Sequence, residues 1–191
     1  MEPLPSPANR LSLRAKAFAL IKDRSFAIGD FTLASGQKSK FYLDMKPSMF
    51  DPEGAGLLAE LVFQKLEGVA VDYIGGLEMG AVPLVATVSM LSQQKGRPIP
   101  GFFVRKQVKD HGTKKRVDAV KDLRGKSVVI LEDVTTTGGS AMEAVDAVEQ
   151  QGGTVVMVLT IVDRGAGAKE FYAEKNLRFD WLFRLEEFLA A

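Results

Sequence analysis

The chain has no cysteine and only one histidine among its 191 residues. Without thiols there are no disulfides, no thiolate metal sites and no cysteine nucleophile, while the compartment stays open because a cytosolic protein needs none of these. Long apolar runs are missing too: no stretch approaches the ~20 residues of a membrane span. The first ten residues lack the apolar centre of a secretion signal, so a cytoplasmic protein free of the membrane is expected. Charge of one sign is also lacking. With 25 Lys and Arg against 24 Asp and Glu the formal net charge is +1, so there is no general basic field for nucleic acid. An anionic ligand must therefore be held by a local cluster of cations. Repeats, low-complexity tracts and dividing linkers are absent as well. A 46% hydrophobic composition suffices for one continuous core, so residues 1–191 are read as a single domain.

What is present alternates. Leu13, Ala17, Leu20 and Ile21 recur at helical spacing within residues 10–24. Asp51-Pro52-Glu53 signals a helix start, with a polar cap before a proline, and residues 57–66 supply the apolar face. Residues 82–94 and 140–151 read as further helices, the second closed by Gly152-Gly153. Between them lie short apolar runs at 41–43, 71–74, 102–104, 127–131 and 154–162, read as strands. Near-continuous apolar strands alternating with helices predict an α/β fold, a parallel twisted sheet flanked by helices on both faces. Ligands are then expected at the carboxyl ends of the strands, just after Val104, Leu131 and Val162.

After the run at 127–131 comes Glu132-Asp133-Val134-Thr135-Thr136-Thr137-Gly138-Gly139-Ser140, and then a helix. A turn rich in glycine and hydroxyls at a helix N-terminus offers unpaired N–H groups and a favourable dipole, which together cradle a phosphate. Paired carboxylates accept hydrogen bonds from sugar hydroxyls. The acids alone could equally end a strand, but a structural cap needs one hydroxyl and not a run of them. Phosphate plus sugar points to a ribose phosphate. Competing phosphate motifs fail: Val120 stands where a Walker A glycine should precede Gly125-Lys126-Ser127, and Glu170 replaces the third glycine after Gly165-Ala166-Gly167.

Residues 128–140 resemble the phosphoribosyl-pyrophosphate loop of the type I phosphoribosyltransferases. The resemblance implies that family's fold, with residues 1–45 forming an N-terminal helix and a small hood that contributes to the base site. It also implies that Glu132 and Asp133 hold the ribose hydroxyls and that residues 134–140 hold the 5′-phosphate.

Between Val104 and Asp118 the chain is polar and cationic, with Arg105, Lys106, Lys109, His111, Lys114, Lys115 and Arg116 and almost nothing apolar. Taken alone this is a solvated charged loop. A departing pyrophosphate, however, needs cations that arrive during reaction, and a lid brings them while excluding water. The pattern Arg-Lys-x-x-Lys-x-His-Gly resembles the catalytic loop of the orotate phosphoribosyltransferases. That resemblance implies binding of phosphoribosyl pyrophosphate by Arg105, Lys106, Lys109 and His111 in the neighbouring subunit of a homodimer. Lys109 would be the main catalytic cation, assisted by Arg105 and His111.

The segment Phe31-Thr32-Leu33-Ala34-Ser35-Gly36-Gln37-Lys38-Ser39 and the following Phe41-Tyr42, which alone could be a glycine turn between two strands, resemble the same family's entry motif, where a base-contacting strand faces the ring. Arg164, at the end of the run 154–162, is suited to grip the carboxylate that distinguishes orotate from uracil. By resemblance, Thr136 shares that ligand. Two departures stand out, Ala34 and Met79, each where many relatives carry a lysine that touches phosphoribosyl pyrophosphate. No acidic metal cage is visible, so Mg2+ is expected to arrive with its substrate. The rival reading is a non-catalytic regulator on the same fold, which would carry a DNA-reading domain or a broad basic face and would not need a complete cationic lid.

Overall fold

The helical period of the first segment is realised as α1 (Pro7–Arg24). It is followed by an antiparallel hairpin, β1 (Phe26–Thr32) and β2 (Lys38–Leu43). The computed structural model describes residues 7–32, 36, 38–107, 116–119 and 121–191. Only the second hairpin strand is evident as an apolar run. The first, carrying Gly29 and Asp30, takes its register from pairs such as Phe26 with Leu43 and Ile28 with Phe41. A single turn, α2 (Lys46–Met49), leads to α3 (Pro52–Lys65). The sequence signal for α3 holds in detail: the Asp51 carboxylate accepts a hydrogen bond from Gly54 N at 2.9 Å, and Pro52 opens the helix.

The chain then alternates through β3 (Tyr73–Leu77), α4 (Val82–Gln94), β4 (Gly101–Val104), β5 (Val117–Ala119), β6 (Ser127–Thr135), α5 (Gly139–Glu149), β7 (Thr154–Asp163), α6 (Ala168–Glu174), β8 (Phe179–Arg184) and α7 (Leu185–Ala190). The six strands β3 to β8 form one sheet in the order β5-β4-β3-β6-β7-β8. Every neighbouring pair is parallel except β4 with β5, so the sheet is mostly and not wholly parallel. The short β5 returns along β4 after residues 105–116 and pairs with it antiparallel, through Phe102 with Ala119 and Val104 with Val117.

Both sheet faces are buried, and the alternation of side chains sorts the strands into two cores. Val129, Leu131 and Leu159 face Leu58 and Val62 of α3 and Leu84 and Val88 of α4. Val128, Ile130 and Val158 face Ala144, Val145 and Val148 of α5 and Tyr172 of α6. The hairpin joins the first core through Phe26, whose ring lies 5.7 Å from Phe188 of α7 and 6.2 Å from Phe41. No helix among the described residues is long and apolar enough to cross a membrane.

One boundary differs from the sequence reading in a way that matters. β6 does not stop at Leu131. It pairs with β7 through Glu132 with Thr160, Val134 with Val162 and Thr135 with Asp163. The acids are thus strand residues, fixed by a ladder that the polar composition of 132–135 concealed.

Candidate active site

The end of β6 places Glu132 and Asp133 on successive, oppositely directed positions. Glu132 is 6% exposed, and its Oε2 has no hydrogen-bond partner among the described residues. Burial, reinforced by the neighbouring Asp133 charge, pushes the Glu132 carboxyl up to about 9. Asp133 is half-buried and accepts a hydrogen bond from Val134 N at 2.9 Å. The loop after β3 is pressed against it: a Cβ on Gly80 would lie 2.6 Å from Asp133 Oδ1, so a larger residue there would push the carboxylate aside.

Past Thr135 the chain turns through Gly138, whose φ of 96° is open to glycine, and enters α5. No side chain caps this helix, although three threonines and a serine flank its start. Thr136, Thr137, Gly139 and Ser140 are exposed, while the hydroxyl of Thr135 is buried without a partner among the described residues. Glu132 and residues 134–141 line a small open cleft. The uncapped first turn of an 11-residue helix, opening beside a carboxyl with an unbonded oxygen, suits a phosphate joined to a polyol.

Arg164 lies at the same edge, one strand over. Its backbone N donates to Thr135 O at 2.9 Å, and its guanidinium carbon lies 5.1 Å from the centre of the Phe41 ring. The hairpin thus reaches the sheet's carboxyl edge through a cation–π contact that also orients the arginine. The preceding Asp163, 2% exposed, points the other way, accepting from Gly165 N at 2.9 Å and facing Arg184 at 3.9 Å.

Of the cationic loop, the two ends are described. Arg105 N donates to Arg116 O at 2.8 Å, closing the stem. The Arg105 guanidinium is engaged within its own chain, donating from Nε to Asp118 Oδ2 at 2.7 Å with Glu78 3.9 Å away. Lys106 is exposed and its backbone N donates to Glu78 Oε1 at 3.0 Å. Lys109 and His111 lie outside the described residues, as does Ala34. Met79 is 63% exposed.

Sequence reasoning missed several supporting groups. Lys46 sits 2.7 Å from Asp44; that hydrogen bond, helped by the charges of Asp44 and Asp133, pushes its ammonium above the usual lysine range. Lys46 therefore brings a cation towards the acid pair. Glu78 and Asp118 clamp the loop stem, and Tyr172 OH donates to Gly138 O at 2.9 Å. No local pattern marks these residues, because each acts on a segment distant in sequence.

Comparison with known proteins agrees with this geometry. The family model described as "Phosphoribosyl transferase domain" matches residues 50–182. An orotate phosphoribosyltransferase of Rhodopseudomonas palustris is 53% identical over 179 residues, covering 92% of this chain and 96% of its own. The orotate phosphoribosyltransferase of Mycobacterium tuberculosis superposes with a TM-score of 0.83 at 33% identity, over 92% of this chain and 98% of that one. The same protein in complex with phosphoribosyl pyrophosphate gives a TM-score of 0.78 at 31% identity, over the same shares. The chain belongs to the phosphoribosyltransferase family and, within it, to the orotate phosphoribosyltransferases.

Proposed function

We propose that this chain joins orotate to the ribose phosphate of phosphoribosyl pyrophosphate, giving orotidine 5′-monophosphate and pyrophosphate on the route to UMP. The observation that carries the reading is the convergence, at the carboxyl edge of β6 and β7, of an uncapped helix start, two carboxyls and Arg164. Residues 134–140 bind the 5′-phosphate through backbone N–H groups and hydroxyls. Glu132 and Asp133 accept hydrogen bonds from the ribose hydroxyls, and a donor to Glu132 Oε2 would supply the partner it lacks. Arg164 and Thr136 hold orotate, the guanidinium meeting the carboxylate in a two-pronged pair.

The reaction is substitution at the anomeric carbon by a ring nitrogen of orotate. The carboxyls at this edge are taken up by the ribose hydroxyls and not by covalent attack, so the protein contributes position and electrostatics. Lys109, with Arg105, Lys106 and His111, stabilises the departing pyrophosphate, acting across a homodimer into the partner's site. Arg105 must then leave Asp118 or act through that pair.

Among the described residues no group of three or more potential ligands forms a metal cage. Glu132 and Asp133 are hard oxygen donors and fit a magnesium ion carried in by the substrate, which when bound neutralises charge on the pyrophosphate. Phosphoribosyl pyrophosphate is a highly charged phosphorylated metabolite that does not cross membranes unaided, which supports a cytoplasmic reading.

The test is an ultraviolet assay of orotate consumption with phosphoribosyl pyrophosphate and magnesium, beside uracil, adenine and hypoxanthine. Turnover of orotate alone supports the reading; turnover of another base, or none, overturns it.

A further inference from the structure

The phosphate cradle hinges on Gly138, a residue that resists rotation less than any other. Something outside the loop must hold its peptide. The carbonyl of Gly138 accepts two hydrogen bonds, from Met142 N at 3.2 Å within α5 and from Tyr172 OH at 2.9 Å on α6. The second is buried and spans 34 residues of sequence. Because a peptide is planar and trans, a carbonyl drawn towards Tyr172 sends the Gly139 N–H in the opposite direction, away from α6. The back of Gly138 is also walled. A Cβ there would lie 2.8 Å from the Phe171 ring and 2.9 Å from that of Tyr172.

Tyr172 is itself immobile. It is fully buried, its ring centre 5.4 Å from that of Phe171 and 4.9 Å from that of Phe179. Burial, and after it the charge of Glu132, pushes its hydroxyl well above the usual tyrosine range, so it remains a donor under all working conditions. The same side chain therefore lies under the phosphate turn and within the field of the buried acid.

We propose that Tyr172 is a positioning residue for phosphate binding, its hydroxyl locking the Gly138–Gly139 peptide so that the helix start presents its N–H groups to the 5′-phosphate of the substrate. This rests on the assignment of residues 134–140 to that phosphate. The role separates substrates: phosphoribosyl pyrophosphate should feel the loss of the hydroxyl and orotate should not.

The experiment compares Tyr172→Phe, which keeps the ring and removes the donor, with Phe179→Leu, which loosens the same aromatic cluster without touching Gly138. Inorganic phosphate affinity is measured by calorimetry, and KM for each substrate by the orotate assay. Tyr172→Phe is expected to weaken phosphate and raise the KM for phosphoribosyl pyrophosphate about five-fold, the size of one neutral buried hydrogen bond, with the KM for orotate within two-fold of the parent. Phe179→Leu is expected to lower the melting temperature and leave both KM values in place. Unchanged phosphate affinity in Tyr172→Phe, or an equal effect from Phe179→Leu, overturns the role. A parent protein that binds phosphate yet turns over no orotate removes the functional assignment instead, and the calorimetric comparison of the two variants still decides the role of Tyr172.

Discussion

Glu132 is the residue whose chemistry departs furthest from its ordinary behaviour. The unfolded chain releases its proton near 4.5, whereas the native state keeps it to about 9. A raised native pKa contributes stability that is fully present below the unfolded value and is lost as pH rises through the native one. Stability should therefore fall between pH 4.5 and 9 on account of this group. Asp44, Asp51 and Asp72 are shifted the other way, below the usual aspartate value, so their contribution is lost only in acid and does not overlap this window. Glu132→Gln, neutral at every pH, should flatten the slope and stabilise the protein by about 2–4 kcal/mol at pH 8, with little effect at pH 4. Urea titrations at the two pH values read this directly; equal effects at both would mean that the native and unfolded pKa of Glu132 coincide. Orotate turnover should collapse in the same variant if the charged form receives the ribose hydroxyls.

Among the elements, Gly76 of β3 and Gly56 of α3 show opposite demands on glycine. A Cβ on Gly76 of β3 would lie 2.2 Å from the backbone oxygen of Leu131, which has nowhere to go. Gly76→Ala should therefore cost about 3 kcal/mol through overpacking. Gly56 of α3 has nothing within 4 Å of its would-be Cβ. Gly56→Ala should stabilise by about 0.5–1 kcal/mol, since helix propensity then acts alone. Denaturant midpoints of opposite sign would bear this out. Such contrasts also explain how much was legible in the sequence. The β6 run, its polar string and α5 are contiguous, so apolar patterning and turn chemistry reveal the cradle and both acids without tertiary information. β8 escapes notice because its six residues mix Phe179, Trp181, Leu182 and Phe183 with Asp180 and Arg184, neither a clean alternation nor an unbroken apolar run, and its strand character comes from pairing with β7. Tyr172, Glu78 and Asp118 stay hidden for a related reason, since what each does depends on a backbone group or guanidinium brought to it by the fold.

For the whole molecule, the lid proposal requires two chains to build each site. Lys109→Ala leaves its own acids and cradle intact but donates a defective lid. Asp133→Asn spoils its own site but donates a working lid. Each variant alone should be nearly inactive, whereas unfolding and refolding them together should recover about a quarter of parent activity, because half of randomly paired dimers are mixed and hold one good site each. An absence of recovery would place the lid in its own subunit's site. The proposed recognition of the acidic pyrimidine also belongs to this scale, since Arg164 follows the end of β7 while Phe41, which stacks with it, belongs to the N-terminal hairpin.

The most direct test of the central claim, that this sheet edge selects orotate through its carboxylate, is the ratio of kcat/KM for orotate to that for uracil in the parent and in Arg164→Leu. The account predicts a strong preference for orotate in the parent and a loss of about a hundred-fold or more in the variant, as expected when a charged hydrogen-bonding pair is removed. An orotate kcat/KM left unchanged by the substitution would contradict it.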